Sequence, residues 1–153
     1  MRYWLMKSEP GEFSIDDLAA SPRKTAWWTG VRNYQARNFM RDEMRIGDLA
    51  FFYHSSTPQT GIVGIVEITR EATPDTTQFD PESDDYDPKA TLERPRWFHV
   101  AVTLKERFPR IALATLRSEP ELQSMRLLRR GNRLSITPIT EKEWRLVNAL
   151  REK

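Results

Sequence analysis

LAFFYHSSTPQTGIVGIVEI, residues 49–68, holds two apolar runs joined by a turn-rich loop. Leu49–Tyr53 and Ile62–Ile68 are dense in aromatic and β-branched residues, which suit a pleated, half-buried surface. Pro58 and Gly61 make His54–Gly61 a loop. Gly64 interrupts the second run, and a glycine inside a strand marks a bulge or a group lying close against the backbone. Three further segments extend the sheet on either side. Arg2–Lys7 ends at the turn sequence Ser8-Glu9-Pro10-Gly11, Trp97–Leu104 carries Phe98, Val100, Val102 and Leu104 on one side, and the short Arg133–Thr137 is halted by Pro138.

Helices are predicted between these strands. Ser14 and Asp17 have capping-box spacing for a short helix to about Ala20. Trp27-Trp28-Thr29-Gly30 reads as a loop leading into a helix near Asn33–Asp42, where Tyr34, Arg37, Asn38 and Arg41 recur at helical spacing. A short helix is expected near Ile111–Leu116, and another from Ser118-Glu119-Pro120-Glu121 to a stop at Gly131. Thr140 and Glu143 complete a capping box for a terminal helix with a Trp144, Val147, Leu150 stripe. Uneven connections fit neither a regular βαβ alternation nor a meander. The expectation is an α+β domain over residues 1–153, with a mixed, mostly antiparallel curved sheet or small barrel decorated with helices.

Composition excludes several classes. The 153 residues are 39% hydrophobic and 30% charged, without a run of 18 apolar residues, which fits a globular chain and offers no spanning helix. Met1–Lys7 lacks the basic region, apolar run and cleavage site of a signal peptide, so the expected location is the cytoplasm in a bacterium or the nucleus in a eukaryote. With no cysteine and only His54 and His99, disulfides, thiolate chemistry and cysteine-based zinc sites are excluded. Dinucleotide, phosphate-loop, hydrolase-elbow and zinc-protease motifs are absent. Ser55 and Ser56 follow His54 directly, and adjacent strand residues point to opposite faces, which argues against a hydrolytic pair. The carboxylates of 80–87 do not follow the EF-hand pattern and read as an exposed acidic loop. No metal, cofactor or catalytic residue is expected.

Charge is uneven although the net is only +2. Residues 23–45 carry +4 and residues 105–133 carry +5, while residues 71–95 carry −6 and four prolines. Clustered Arg and Lys neutralise phosphates even where total charge is small, so a nucleic-acid partner is compatible. The acidic excursion between them lacks a clean period, and loops of that length are commonly functional or mobile.

Two segments hold residues a plain core does not want. WWTGVRNYQARN at 27–38 and FFYHSS at 51–56 combine flat rings with amide, guanidinium and hydroxyl groups, the chemistry that stacks on a nucleobase and bonds its edge. Parts of 28–38 and 53–56 are expected to share one concave pocket at an open end of the barrel, with Tyr86 and Trp97 as a further wall. Trp4, Phe51 and Trp144 are expected in the core. Trp27 and Trp28 stay open between core and pocket, because adjacent tryptophans seldom both fit inside a small domain. His54 is likewise open, and His99, within an apolar strand, is expected to be structural.

Several longer stretches carry a family resemblance in order along the chain. YWLMKSEP at 3–10, WTGVRNYQARNFMRDEM at 28–44, GDLAFFYHSS at 47–56, GIVGIVEI at 61–68, FDPESDDYDPKA at 79–90, PRWFHVAV at 95–102 and RLSITPIT at 133–140 resemble the EVE domain. The resemblance implies a PUA-like fold, a curved mixed sheet closing toward a barrel, related to ASCH, YTH and SRA domains. It also implies a non-catalytic module reading DNA or RNA that carries a modified base, with modified cytosine in DNA the leading candidate and no membrane partner. Carried over, the base-pocket residues are Lys7, Ser8, Glu9, Trp28, Gly30, Val31, Arg32, Asn33, Tyr34, Tyr53, His54, Ser55 and Ser56, with Tyr86 and Trp97. The phosphate rim is expected from Arg37, Asn38, Arg126, Arg129, Arg130 and Arg133. One departure is evident: the family's excursion usually carries two tyrosines before its Asp-Pro, and this chain has Asp85-Tyr86-Asp87-Pro88. Competing readings are a sensor of a small planar ligand or an interaction scaffold, and an enzyme on nucleic acid pairing Glu9 with His54.

Overall fold

β-Branched and aromatic runs form six strands in the computed structural model, which describes residues 1–151; the last two residues of the expected 1–153 domain lie outside that range. The strands are β1 (Tyr3–Ser8), β2 (Thr25–Trp27), β3 (Leu49–His54), β4 (Gly61–Pro74), β5 (Phe98–Ala112) and β6 (Ile136–Ile139). They make one mixed sheet in the order β2-β5-β4-β3-β1-β6. β1 runs parallel to β3, and the other neighbours are antiparallel.

This order corrects the expected PUA-like curved pseudo-barrel. It is linear, β2 and β6 are its two edges, and the sheet is open rather than curved into a closed wall. Closure needs the edge strands to pair along their length, and the edges here are three and four residues long. Both faces of this open sheet are apolar, and both are covered. One face carries Trp4, Met6, Phe52, Val66 and Val100 against helices α1 (Ile15–Ala20) and α2 (Tyr34–Asn38). The other carries Leu5, Phe51, Ile62 and Ile65 against α3 (Leu113–Ser118) and α4 (Glu141–Leu150). Trp4, Phe51 and Trp144 are buried as expected. Trp144 stacks between Phe51, at 4.1 Å, and Tyr3, at 4.5 Å.

Both capping boxes form, from Ser14 to Asp17 and from Thr140 to Glu143. Gly64 lies at a register shift between β4 and β5, where a Cβ would stand 2.3 Å from Ile15 Cδ1 and 2.5 Å from the Glu106 carbonyl oxygen. It is thus both irregularity and close approach.

Other local expectations fail. Residues 119–131 hold no α-helix, only single 3-10 turns at Pro120–Leu122 and Arg126–Leu128. Ser118 closes α3, donating to the Thr115 carbonyl at 2.7 Å, and does not cap a new helix. Leu122, Met125, Leu127 and Leu128 are all buried, and their spacing spans more than one helical face, so the segment wraps around the second core. Pro138 sits within β6 rather than ending it, because an edge strand tolerates its missing N–H. β4 and β5 run well beyond the predicted limits and hold the acidic excursion between them. No helix among the described residues is long and apolar enough to cross a membrane.

Candidate functional site

At the carboxyl ends of parallel β1 and β3, Ser55 donates its N–H to the Ser8 carbonyl at 3.0 Å. Past Ser8 the chain turns tightly: Glu12 and Phe13 both donate to the Glu9 carbonyl at 2.9 Å, and Ser8 Oγ donates to the Phe13 carbonyl at 2.6 Å. Ser56 adopts a left-handed φ of 55°. On one side lies the end of β6, where Lys7 N–H reaches the Ser135 carbonyl at 2.8 Å. On the other lies the loop after β2. Together these segments enclose a cleft of about 680 Å³, larger than the depression of about 540 Å³ at the amino-terminal edge of the sheet.

The cleft brings together Lys7, Ser8, Glu9, Trp28, Gly30, Val31 and Arg32, with Ser55, Ser56 and Arg133. It also recruits Glu12, Phe13, Asp85 and Ser135, which the sequence reading left out of the site, with Thr29 from the expected 28–38 stretch and Trp27, which that reading left open between core and pocket. β2 explains the exchange at the double tryptophan. Alternation points Trp28 inward, 6% exposed and edge-on to Phe52, whereas Trp27 is 39% exposed. The Trp27 indole lies flat on His99, with centroids 4.2 Å apart.

A buried carboxylate fixes the cleft wall. Asp75 accepts from Gly30 N–H at 2.9 Å, from Thr77 N–H at 2.9 Å and Oγ1 at 2.6 Å, and from Arg32 Nη1 at 3.2 Å. Burial alone would raise its pKa, but the hydrogen bonds from Thr77 and Gly30 and the Arg32 charge outweigh it and hold the carboxyl below its ordinary value. The acidic excursion is thereby tied to the loop bearing Gly30.

Other expected site residues lie elsewhere. Tyr53 shares a sheet face with Leu5 and Phe51 and is buried in the second core, where burial raises its pKa. His54 accepts the Ile15 N–H at 3.1 Å through Nε2, anchoring α1, and burial lowers its pKa. No hydrogen bond among the described residues joins it to Glu9, so the pairing required for the enzyme reading is not formed. Asn33 caps α2 by accepting from Ala36 N–H at 3.0 Å.

Tyr34 and Trp97 stack at 4.9 Å beyond Arg32, with Arg37 lying over the Tyr34 ring at 4.6 Å. Arg37 also bonds Asn38 and the Arg96 carbonyl. Trp97 donates its indole N–H to Asp87 at 2.8 Å, and Arg96 bonds Tyr34. These groups dock the excursion onto α2, and none lines the cleft. Exposed Tyr86 is likewise outside the lining, as are Arg126, Arg129 and Arg130.

Residues 2–150 match the EVE domain model. The chain belongs to the EVE domain family. It is 44% identical over 169 residues to human thymocyte nuclear protein 1, spanning 99% of this chain and 74% of that protein. The crystal structure of human THYN1 protein in complex with 5-methylcytosine-containing DNA is 43% identical, covers 100% of this chain and 99% of its own, and superposes with a TM-score of 0.95. A crystal structure of a Pseudomonas putida protein is 51% identical, with 97% and 99% coverage and a TM-score of 0.92.

In this EVE domain the cleft's polar groups are largely uncommitted. Among the described residues, the side chains of Lys7, Glu9, Glu12, Asp85 and Arg133 join no ion pair, and Ser55, Ser56 and Ser135 make no side-chain hydrogen bond. Burial lowers the Lys7 pKa. Among the same residues, no group of three or more His, Asp and Glu is arranged to hold a metal ion. The arrangement offers stacking surface with free donors and acceptors of both charges.

Proposed function

We propose that this domain binds nucleic acid by taking one modified base, displaced from its strand, into the cleft and leaving it chemically unchanged. Modified cytosine in DNA is the leading candidate, by analogy with the complex of the human relative. In a bacterium such a protein works in the cytoplasm, and in a eukaryote in the nucleus.

The observation that carries this reading is the combination of an accessible indole, Trp27, with uncommitted polar side chains around a cleft of about 680 Å³. A base contributes roughly 1–3 kcal/mol through stacking, and its edge supplies partners for the open donors and acceptors. Arg129, Arg130 and Arg133 are exposed and join no ion pair among the described residues, so they suit flanking phosphates. Extrusion from a duplex costs about a few kcal/mol, which favours single strands for a domain with few phosphate contacts.

The test is a titration of single- and double-stranded oligonucleotides, with and without one 5-methylcytosine, at two salt concentrations. The modified single strand is expected to bind tightest, more weakly at higher salt, and to be recovered intact. Equal affinity for modified and unmodified strands, or turnover of either, contradicts the proposal.

A further inference from the structure

Three carboxylates line the cleft, and their settings differ. Glu9 and Glu12 are exposed at its rim, while Asp85 is half-buried. Asp85 is also held in place through its backbone. Arg32 donates to its carbonyl from Nε at 3.1 Å and Nη2 at 2.8 Å, and its own N–H donates to Ser83 Oγ at 3.1 Å. Arg32 is in turn fixed by Asp75 and by Thr77 Oγ1, at 3.2 and 2.9 Å.

The Asp85 carboxylate lies directly over Gly30. A Cβ on that glycine would stand 3.0 Å from Oδ2 and 3.5 Å from Oδ1. The φ of Gly30 is +84°, a conformation side chains rarely adopt, so the backbone leaves this approach open. Among the described residues, neither carboxylate oxygen accepts a hydrogen bond or joins an ion pair. The group is anchored at its main chain and uncommitted at its side chain.

We propose that Asp85 selects, among bases entering the cleft, for one carrying an exocyclic amino group. This rests on the reading of the cleft as a base site. An ionised carboxylate only accepts hydrogen bonds, so its partner must be a donor. Cytosine presents a donor amine at position 4, which Asp and Glu accept, whereas thymine presents a carbonyl oxygen there. A carboxylate facing that oxygen leaves two acceptors opposed and unpaired, and such a mismatch rejects the wrong ligand.

The test compares single-stranded DNA oligonucleotides that differ at one central position, 5-methylcytosine in one and thymine in the other. The two bases share ring and methyl group and differ in their 4-substituent and the N3 proton. The parent is expected to favour 5-methylcytosine by roughly 10-fold or more. Asp85→Asn supplies an amide that can donate, so the ratio should fall toward one, chiefly through tighter thymine binding. Asp85→Ala should weaken 5-methylcytosine without improving thymine. Unfolding curves for both variants check that the fold is retained.

An Asp85→Asn variant that keeps the parent's ratio, or a parent that binds both strands equally, overturns the selection by Asp85. A parent that binds neither strand overturns the base-site reading itself.

Discussion

Asp75 anchors the cleft wall without lining the cleft. Its side chain is fully buried and takes four hydrogen bonds, two of them from Gly30 and Arg32 in the cleft wall. Asp75→Ala leaves those donors without an acceptor and is expected to cost on the order of 3 kcal/mol, measured by chemical denaturation. The pH dependence follows from the lowered pKa. The unfolded chain takes up a proton near the ordinary value of 3.8, and the folded chain only below it. The contribution is therefore fully present above pH 3.8 and is lost as pH falls through the folded value. The parent should lose this stability on acidification, and Asp75→Ala should not show that component. The sequence signalled nothing of this role, because Asp75 lies 45 residues from Gly30 and in a run of acids that looks solvated. At Trp27 and Trp28, by contrast, the adjacency raised the question of core or pocket, and the strand register decided it.

Among the elements, Gly64 has no room for a side chain. A methyl group there meets the Ile15 side chain at 2.3 Å and the Glu106 backbone oxygen at 2.5 Å. Gly64→Ala is expected to destabilise by about 1–3 kcal/mol through overpacking. Pairing it with Ile15→Val should recover only a small part, because the backbone contact cannot move aside; thermal unfolding of the single and double variants reads this directly. The elements legible from sequence were those set by local chemistry. The two capping boxes each depend on residues three positions apart, and Gly64 stood out as a glycine inside a β-branched run. The helix expected after Ser118 was misread because Ser, Pro and Glu also suit short turns, and burial of Leu122, Met125, Leu127 and Leu128 decided between them. Arg126, Arg129 and Arg130 therefore do not share a helical face.

For the whole molecule, strand content was legible and closure was not. A chain that must cover both sheet faces shows the same β-rich runs as one that closes on itself, and only the strand order separates the two. The cleft belongs to this open architecture. It forms where parallel β1 and β3 end together, roofed by the loop from β2 and by the excursion that Asp75 and the Tyr34–Trp97 stack fold back. The proposed function requires a displaced base to stack within this cleft on Trp27. Titration of a single-stranded oligonucleotide bearing one 5-methylcytosine against the parent and Trp27→Ala, each with its unfolding curve, measures that contact. Loss of roughly 1–3 kcal/mol of binding with unchanged stability is the predicted result. A folded Trp27→Ala that binds the oligonucleotide as tightly as the parent contradicts it.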